Sequence, residues 1–193
     1  MRRLRLRRRH ISWGALLVTI IMLLAQHYGW IDSLDKSIET SQPGTYAVVE
    51  FFDGDTISVD MNGTVEKIRF IGVDTPETHD PRKAVQCGGQ EAAIYTRATI
   101  GNQRVRLASD PLSSNRDRYD RLLRYVYLPD GTLLNQQLIT TGHGFAYTYF
   151  PFAKSALFIK EEATAIRQRA GLWAYCKPVP NEYGGYTSNP ATP

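Results

Sequence analysis

The sequence predicts an α+β fold: five strands closed into a small barrel, capped by about three α-helices and preceded by an N-terminal apolar helix. Three observations predict it. Strand signals fill residues 46–73 and return between 104 and 128, while helical spacing occurs at 90–100 and after 134. Hairpin turn chemistry separates the early strands. The charge-free run Ile11 to Ala25 stands apart from everything after it.

The elements follow in order. Tyr46 to Phe52 is rich in β-branched and aromatic residues and ends at Asp53-Gly54. Ile57, Val59 and Met61 alternate with polar residues up to Asn62-Gly63, a strong hairpin signal. Val65 to Val73 is a third strand, stopped by Pro76. Gln90 to Ile100 reads as a helix ending at Gly101. Arg104 to Ala108 and Leu122 to Leu128 are strands. Leu134 and Leu138 mark a short helix ending at Gly142. In the last helix Ile159, Ala163, Ile166 and Ala170 form the apolar stripe, with Gly171 as terminator. Five strands interrupted by a helix match the OB-fold, whose strand faces often bind oligonucleotides.

The 193 residues, 42% hydrophobic and 22% charged, suit one ordinary domain with appendages and exclude a disordered or collagen-like chain. The net charge of +4 carries no argument for a polyanionic partner. Six of the 23 basic residues are Arg2, Arg3, Arg5, Arg7, Arg8 and Arg9, and without them the 19 acidic residues are in excess. Two cysteines and four scattered histidines exclude a disulfide-dense scaffold and a zinc enzyme.

Residues 1–10 form a basic n-region. Ile11 to Trp30 is 20 residues, about 30 Å of helix, enough to cross a bilayer with Trp13 and Trp30 near its ends. The flanking arginines place the N-terminus in the cytoplasm and export the rest. The expected state is a membrane anchor. The alternative is secretion after signal cleavage, although Leu23/Ala25 and His27/Gly29 supply only half of a cleavage site. Residues 31–44 read as a linker, 45–176 as the folded domain, and 177–193 as a flexible Pro/Gly-rich tail. In an oxidising compartment Cys87 and Cys176 pair, or else remain two inert buried thiols.

Three segments carry chemistry. Asp53-Gly54-Asp55-Thr56 can aim two carboxylates at one hard cation, although Asp-Gly turns are common. Asp74-Thr75-Pro76-Glu77, five residues after Arg69, adds a third carboxylate, a carbonyl and a glutamate able to take a proton from water. A straight strand would hold the Arg69 and Asp74 α-carbons roughly 16 Å apart on opposite faces, so convergence requires a bend near Gly72. In Asn115-Arg116-Asp117-Arg118-Tyr119-Asp120-Arg121, guanidinium groups can fork onto phosphate and a tyrosine can stack on a base. Tyr147 and Tyr149 offer a second aromatic surface or ordinary packing.

The ordered succession of Asp53-Gly54-Asp55-Thr56, Arg69, Val73-Asp74-Thr75-Pro76-Glu77-Thr78, Gly89-Gln90-Glu91-Ala92, Asp117-Arg118-Tyr119-Asp120-Arg121 and Gly171-Leu172-Trp173 resembles the micrococcal (staphylococcal) nuclease family, the thermonucleases. The resemblance runs from Thr45 to Trp173. It implies a calcium-dependent phosphodiesterase on an OB-fold that cuts DNA and RNA with little sequence preference and leaves 3′-phosphates. By position, Asp55 and Asp74 would bind calcium through carboxylates and Thr75 through its carbonyl, with Asp53 nearby. Glu77 would be the general base, and Arg69 and Arg121 the phosphate clamps. Arg118, Tyr119, Tyr147 and Tyr149 would bind the substrate. The alternative is a non-catalytic nucleic-acid-binding or scaffolding module; no obligate protein partner is expected. Three features depart from the family pattern. Asp120 stands where glycine is common, the chain is about two residues shorter near Gly144-Phe145-Ala146, and Cys87 and Cys176 are additions.

Overall fold

A computed structural model describes Leu24, residues 44–78 and residues 84–191. Among these no helix is long and apolar enough to cross a membrane. The anchor expected over residues 11–30 lies outside the described residues apart from Leu24, as do the n-region and nearly all of the linker. The elements below belong to the unit Gln42–Pro193.

The chain opens with β1 (Thr45–Phe51), β2 (Thr56–Met61) and β3 (Thr64–Phe70), an antiparallel meander. Asn62 and Gly63 turn the second hairpin with φ of 57° and 93°, and Asp60 Oδ1 accepts the Gly63 N–H at 2.6 Å. This is the geometry that an Asn-Gly pair favours. After a break comes β4 (Val73–Asp74), then helix α1 (Gly89–Ile100), β5 (Arg104–Ala108) and β6 (Leu122–Tyr127). The strands close in the order β1-β2-β3-β6-β5. β6 runs parallel to β3, with Arg69 opposite Leu123, and antiparallel to β5. The expected closed barrel is therefore present.

Helix α2 (Leu134–Thr140), β7 (Phe145–Ala146), helix α3 (Ser155–Gln168) and the one-turn α4 (Leu172–Tyr175) follow. Ile57, Val59, Ile68, Phe70, Val105, Leu107, Leu122 and Val126 fill the barrel interior. Leu134, Leu138, Ile139 and Phe158 pack against them from the helices. Each such side chain contributes about 1.5–3 kcal/mol on leaving water. That is the scaffold on which a loop site can be held.

Three expectations change. The strand expected to run from Val65 to Val73 ends at Phe70, because Gly72 takes φ 72° and redirects the chain into β4. The last helix ends at Gln168 with Arg169 in the left-handed cap (φ 53°), and Gly171 opens α4 instead of closing α3. Its buried face carries Phe158 and Ala165, whereas Ile159 and Ile166 are exposed, so the expected stripe is out of phase.

The segment expected to be a flexible tail is the third. Residues 177–191 fold back, with β8 (Val179–Pro180) paired to β9 (Tyr186–Thr187). The Cys87 N–H donates to the Asn189 carbonyl at 2.8 Å and Ser188 Oγ donates to the Cys87 carbonyl at 2.8 Å. Tyr186 packs against Phe145 and Trp173. Proline and glycine prevent long regular structure here, but one aromatic anchor and a set of backbone hydrogen bonds suffice to dock the segment. Cys87 and Cys176 are joined in a disulfide just before it.

Candidate active site

The turn after β1 is shaped by close approach. A Cβ on Gly54 would lie 2.7 Å from Thr75 Cγ2 and 2.8 Å from Ala92 Cβ, so only glycine lets this turn sit against α1 and the Asp74-Thr75 segment. Thr96 Oγ1 on α1 donates to the Gly54 carbonyl at 2.6 Å, and Asp53 Oδ1 accepts the Asp55 N–H at 3.2 Å. Asp55 is thereby buried with its carboxylate turned inward. Its Oδ2 accepts the Thr75 N–H at 2.7 Å and Thr75 Oγ1 at 3.1 Å, while Thr56 Oγ1 donates to Oδ1 at 2.9 Å.

Arg69 joins the two acidic segments. It stands opposite Thr56 in the β2–β3 register. Its Nη1 lies 3.3 Å from Asp55 Oδ1 and its Nη2 donates to Asp74 Oδ1 at 2.7 Å. Nη1 also donates to the carbonyls of Val73 at 2.6 Å and Phe70 at 3.0 Å. The bend at Gly72 makes this possible, and Gly72 has no alternative: a Cβ there would lie 2.5 Å from the Phe152 ring. Burial disfavours the guanidinium charge, but Asp55, Asp74 and Asp53 outweigh that and hold its pKa above the ordinary value. Asp53 is pushed up to about 7, first by burial and then by the charge of Asp55, with Arg69 opposing.

Glu77 lies just past Pro76. Its N–H donates to Gln86 Oε1 at 2.9 Å, its carbonyl accepts the Gln86 N–H at 2.9 Å, and its Oε1 accepts the Thr78 N–H at 3.0 Å. Arg121 precedes β6, two residues before the Leu123 that pairs with Arg69. Asp117 fixes its direction by accepting Nε at 2.7 Å and pairing with Nη2 at 2.7 Å. The same carboxylate accepts the N–H groups of Tyr119 and Arg121. Burial opposes its charge, yet these hydrogen bonds and Arg121 hold its pKa below the usual carboxylate value. Asp120 takes φ 64°, the left-handed conformation for which glycine is suited. Its carboxylate lies 3.6 Å from Arg116 Nε, and Arg116 also grips Glu66 bidentately at 2.9 and 3.0 Å. The added negative charge is thus directed to Arg116.

The aromatic residues divide. Tyr119 is exposed; Arg118 lies over its ring at 4.8 Å and donates to its hydroxyl at 2.7 Å. The Tyr147 N–H donates to the Gly72 carbonyl, which ties the ring to the bend. Its phenol is pushed up by burial and by Asp74, with Arg69 opposing. Tyr149 is exposed next to it. Asp55 contacts both Arg69 and Thr75, Arg69 contacts Asp74, and Tyr147 is hung on the same bend. Glu77 and the Arg121 loop are held by their own partners, Gln86 and Asp117.

Two supports escaped the sequence reading. Buried Asn135 on α2 donates to the Ile71 and Arg124 carbonyls at 2.9 and 3.2 Å and accepts the Val126 N–H at 2.8 Å. Buried Arg124 donates to Asn115 Oδ1 at 2.6 Å and to the Leu123 carbonyl at 2.6 Å. A polar residue beside an apolar helix stripe was the only available signal for the first.

Among the described residues no three of His, Cys, Asp and Glu form a closed metal cage. A calcium ion here would need backbone and water oxygens beside the carboxylates, as that ion commonly takes. The charge balance fits it. Three carboxylates act on one guanidinium, and one of them has its pKa pushed to about 7. A hard divalent cation would relieve that excess. The donors are all oxygen, which suits calcium or magnesium and not a soft metal.

The family described as staphylococcal nuclease homologue matches residues 67–175, more than half of the chain. A thermonuclease of Staphylococcus intermedius is 35% identical over 166 residues, covering 84% of this chain and 97% of that protein. A thermonuclease of Staphylococcus hyicus is 39% identical over 131 residues, covering 67% of this chain and 76% of that protein. Endonuclease YncB of Bacillus subtilis is 36% identical over 124 residues, covering 63% and 58%.

Proposed function

Because the chain belongs to the staphylococcal nuclease family, we propose that it is a calcium-dependent endonuclease cutting DNA and RNA with little sequence preference and leaving 3′-phosphates. It is a hydrolase of phosphodiester bonds, the class its nuclease relatives belong to. The observation that carries the reading is the Arg69 guanidinium held at 3.3 Å from Asp55 and 2.7 Å from Asp74 at the strand bend.

In this reading Asp55 and Asp74 would hold calcium through carboxylate oxygens and Thr75 through its carbonyl. When bound, the ion would supply positive charge at the phosphate, where negative charge builds during attack. Arg69 and Arg121 grip the phosphoryl oxygens. Their guanidinium groups are already oriented by Asp55, Asp74 and Asp117, so little reorganisation accompanies the rise in charge. The Glu77 carboxylate takes the proton of the attacking water. Arg118 contacts a neighbouring phosphate, and Tyr119, Tyr147 and Tyr149 face the nucleotide.

Residues 1–30 export the domain and either anchor it or are removed. A disulfide favours such an oxidising compartment.

The test is digestion of plasmid DNA by the full chain with calcium or with a chelator, repeated with Glu77→Gln. Calcium-dependent cutting is expected, slowed about a thousandfold by the substitution while DNA binding persists. Intact plasmid in every calcium arm, with binding retained, would instead make the protein a non-catalytic module.

A further inference from the structure

The hairpin formed by β8 and β9 carries Tyr183 onto the face that holds Tyr149. Tyr149, Phe150 and Tyr183 are 56%, 59% and 47% exposed, unusual for three neighbouring large rings. Tyr183 meets Tyr149 edge-on with centroids 5.6 Å apart, and Tyr149 meets Phe150 edge-on at 4.8 Å. In an edge-to-face contact only one face of one ring is covered, so other ring faces stay open.

The hairpin is fixed to this face. Thr148 Oγ1, between the two earlier tyrosines, donates to the Gly184 carbonyl at 2.9 Å. Asn181 Oδ1 accepts the N–H groups of Tyr183 at 3.0 Å and Gly185 at 3.2 Å, and the Asn181 N–H donates to the Gly185 carbonyl at 2.9 Å. Two charges border the ring. The Glu182 carboxylate beside it raises the pKa of the Tyr183 phenol, with Arg118 opposing. The half-exposed ring is the surface this residue offers. The neighbouring cation is the Arg118 that also covers Tyr119.

We propose that Tyr183, together with Tyr149 and Phe150, is a stacking platform for unpaired bases of a single-stranded polynucleotide, with Arg118 taking the adjoining phosphate. This deepens the nuclease reading and rests on it. Stacking on an aromatic face tolerates every base, so it adds affinity without sequence preference. Bases paired in a duplex cannot reach such a face, so the platform favours single strands or frayed ends. The negative Glu182 disfavours phosphate on its own side and leaves the Arg118 side for the backbone.

The test uses the full chain with calcium in the Glu77→Gln background, so that a labelled oligothymidylate strand is bound and not cut. Tyr183→Ala should raise the Kd for the strand about tenfold, with a much smaller change for a duplex of equal length. Tyr183→Phe keeps the ring and should stay close to the parent. Melting temperatures of both variants should match the parent, since the ring is half exposed. In the otherwise native chain, Tyr183→Ala should raise KM for the single strand more than it lowers kcat. Strand affinity unchanged in Tyr183→Ala overturns the inference, as does Tyr183→Phe behaving like Tyr183→Ala. A native chain that neither binds nor cuts the strand in calcium overturns the nuclease reading itself.

Discussion

Arg69 is the residue around which the charges balance. Asp53, Asp55 and Asp74 all act on it, and burial alone would make its charge unfavourable. Glu162 shows what burial does to a carboxylate lacking such a partner. It accepts the N–H of Ala146 on β7 at 2.8 Å, and burial pushes its pKa up to about 6, against that hydrogen bond. The folded-state value lies above the ordinary 4.5, so the native chain binds the proton more tightly than the unfolded chain. The stability this contributes is present in full below about 4.5 and is lost as pH rises through about 6. Glu162→Gln keeps the acceptor oxygen and removes the titration. It should flatten the fall in melting temperature between these values and stabilise the protein above them by on the order of 1 kcal/mol, after solvent screening. Thermal unfolding followed across that pH range checks it; parallel curves for the two proteins would refute it.

At the scale of elements, the bend after β3 is held as much by α2 as by Gly72. The Asn135 side chain bridges the Ile71 and Arg124 carbonyls and the Val126 N–H inside the core. Asn135→Ala would leave these buried groups short of partners, at about 3 kcal/mol, or about 10 °C in melting temperature. Because Asp74 and the Arg69 contacts lie immediately beyond this bend, the substitution should also raise the calcium concentration needed for half-maximal cleavage. Thermal unfolding and a calcium titration test both parts, and a variant melting with the native protein would remove the bracing role. This brace also marks the limit of what the sequence conveys. The meeting of Asp55, Arg69 and Asp74 was legible because their chemistry lies within short segments, and the need for a bend followed from strand geometry. Asn135 was not, because its partner Ile71 is 64 residues away. Local periodicity likewise misphased α3, whose buried face is chosen by the barrel it covers and not by its count of aliphatic residues.

At the scale of the whole molecule, the disulfide and the returning C-terminal segment form one clasp joined to Glu77 through Gln86. Cys87 follows Gln86, whose side chain and backbone both bond Glu77. Gln86 pairs with Pro190 in a β-bridge, and Cys87 is bonded to Cys176 and hydrogen-bonded to Ser188 and Asn189. Composition made residues 177–193 look mobile because it records what cannot form a helix or strand, not what an existing surface can dock. Closing a loop of 89 residues contributes about 4–5 kcal/mol in the chain-entropy account. Reduction should therefore lower the melting temperature by about 10 °C. If the clasp positions Glu77, kcat should fall more than single-strand affinity, since Thr148 and Asn181 still hold the Tyr183 hairpin in place. Thermal unfolding, cleavage and strand binding of the oxidised and reduced protein separate these effects. Equal melting and equal turnover in both redox states would show that the clasp does neither. A loss of strand affinity without a loss of kcat would show that the disulfide acts through the hairpin alone.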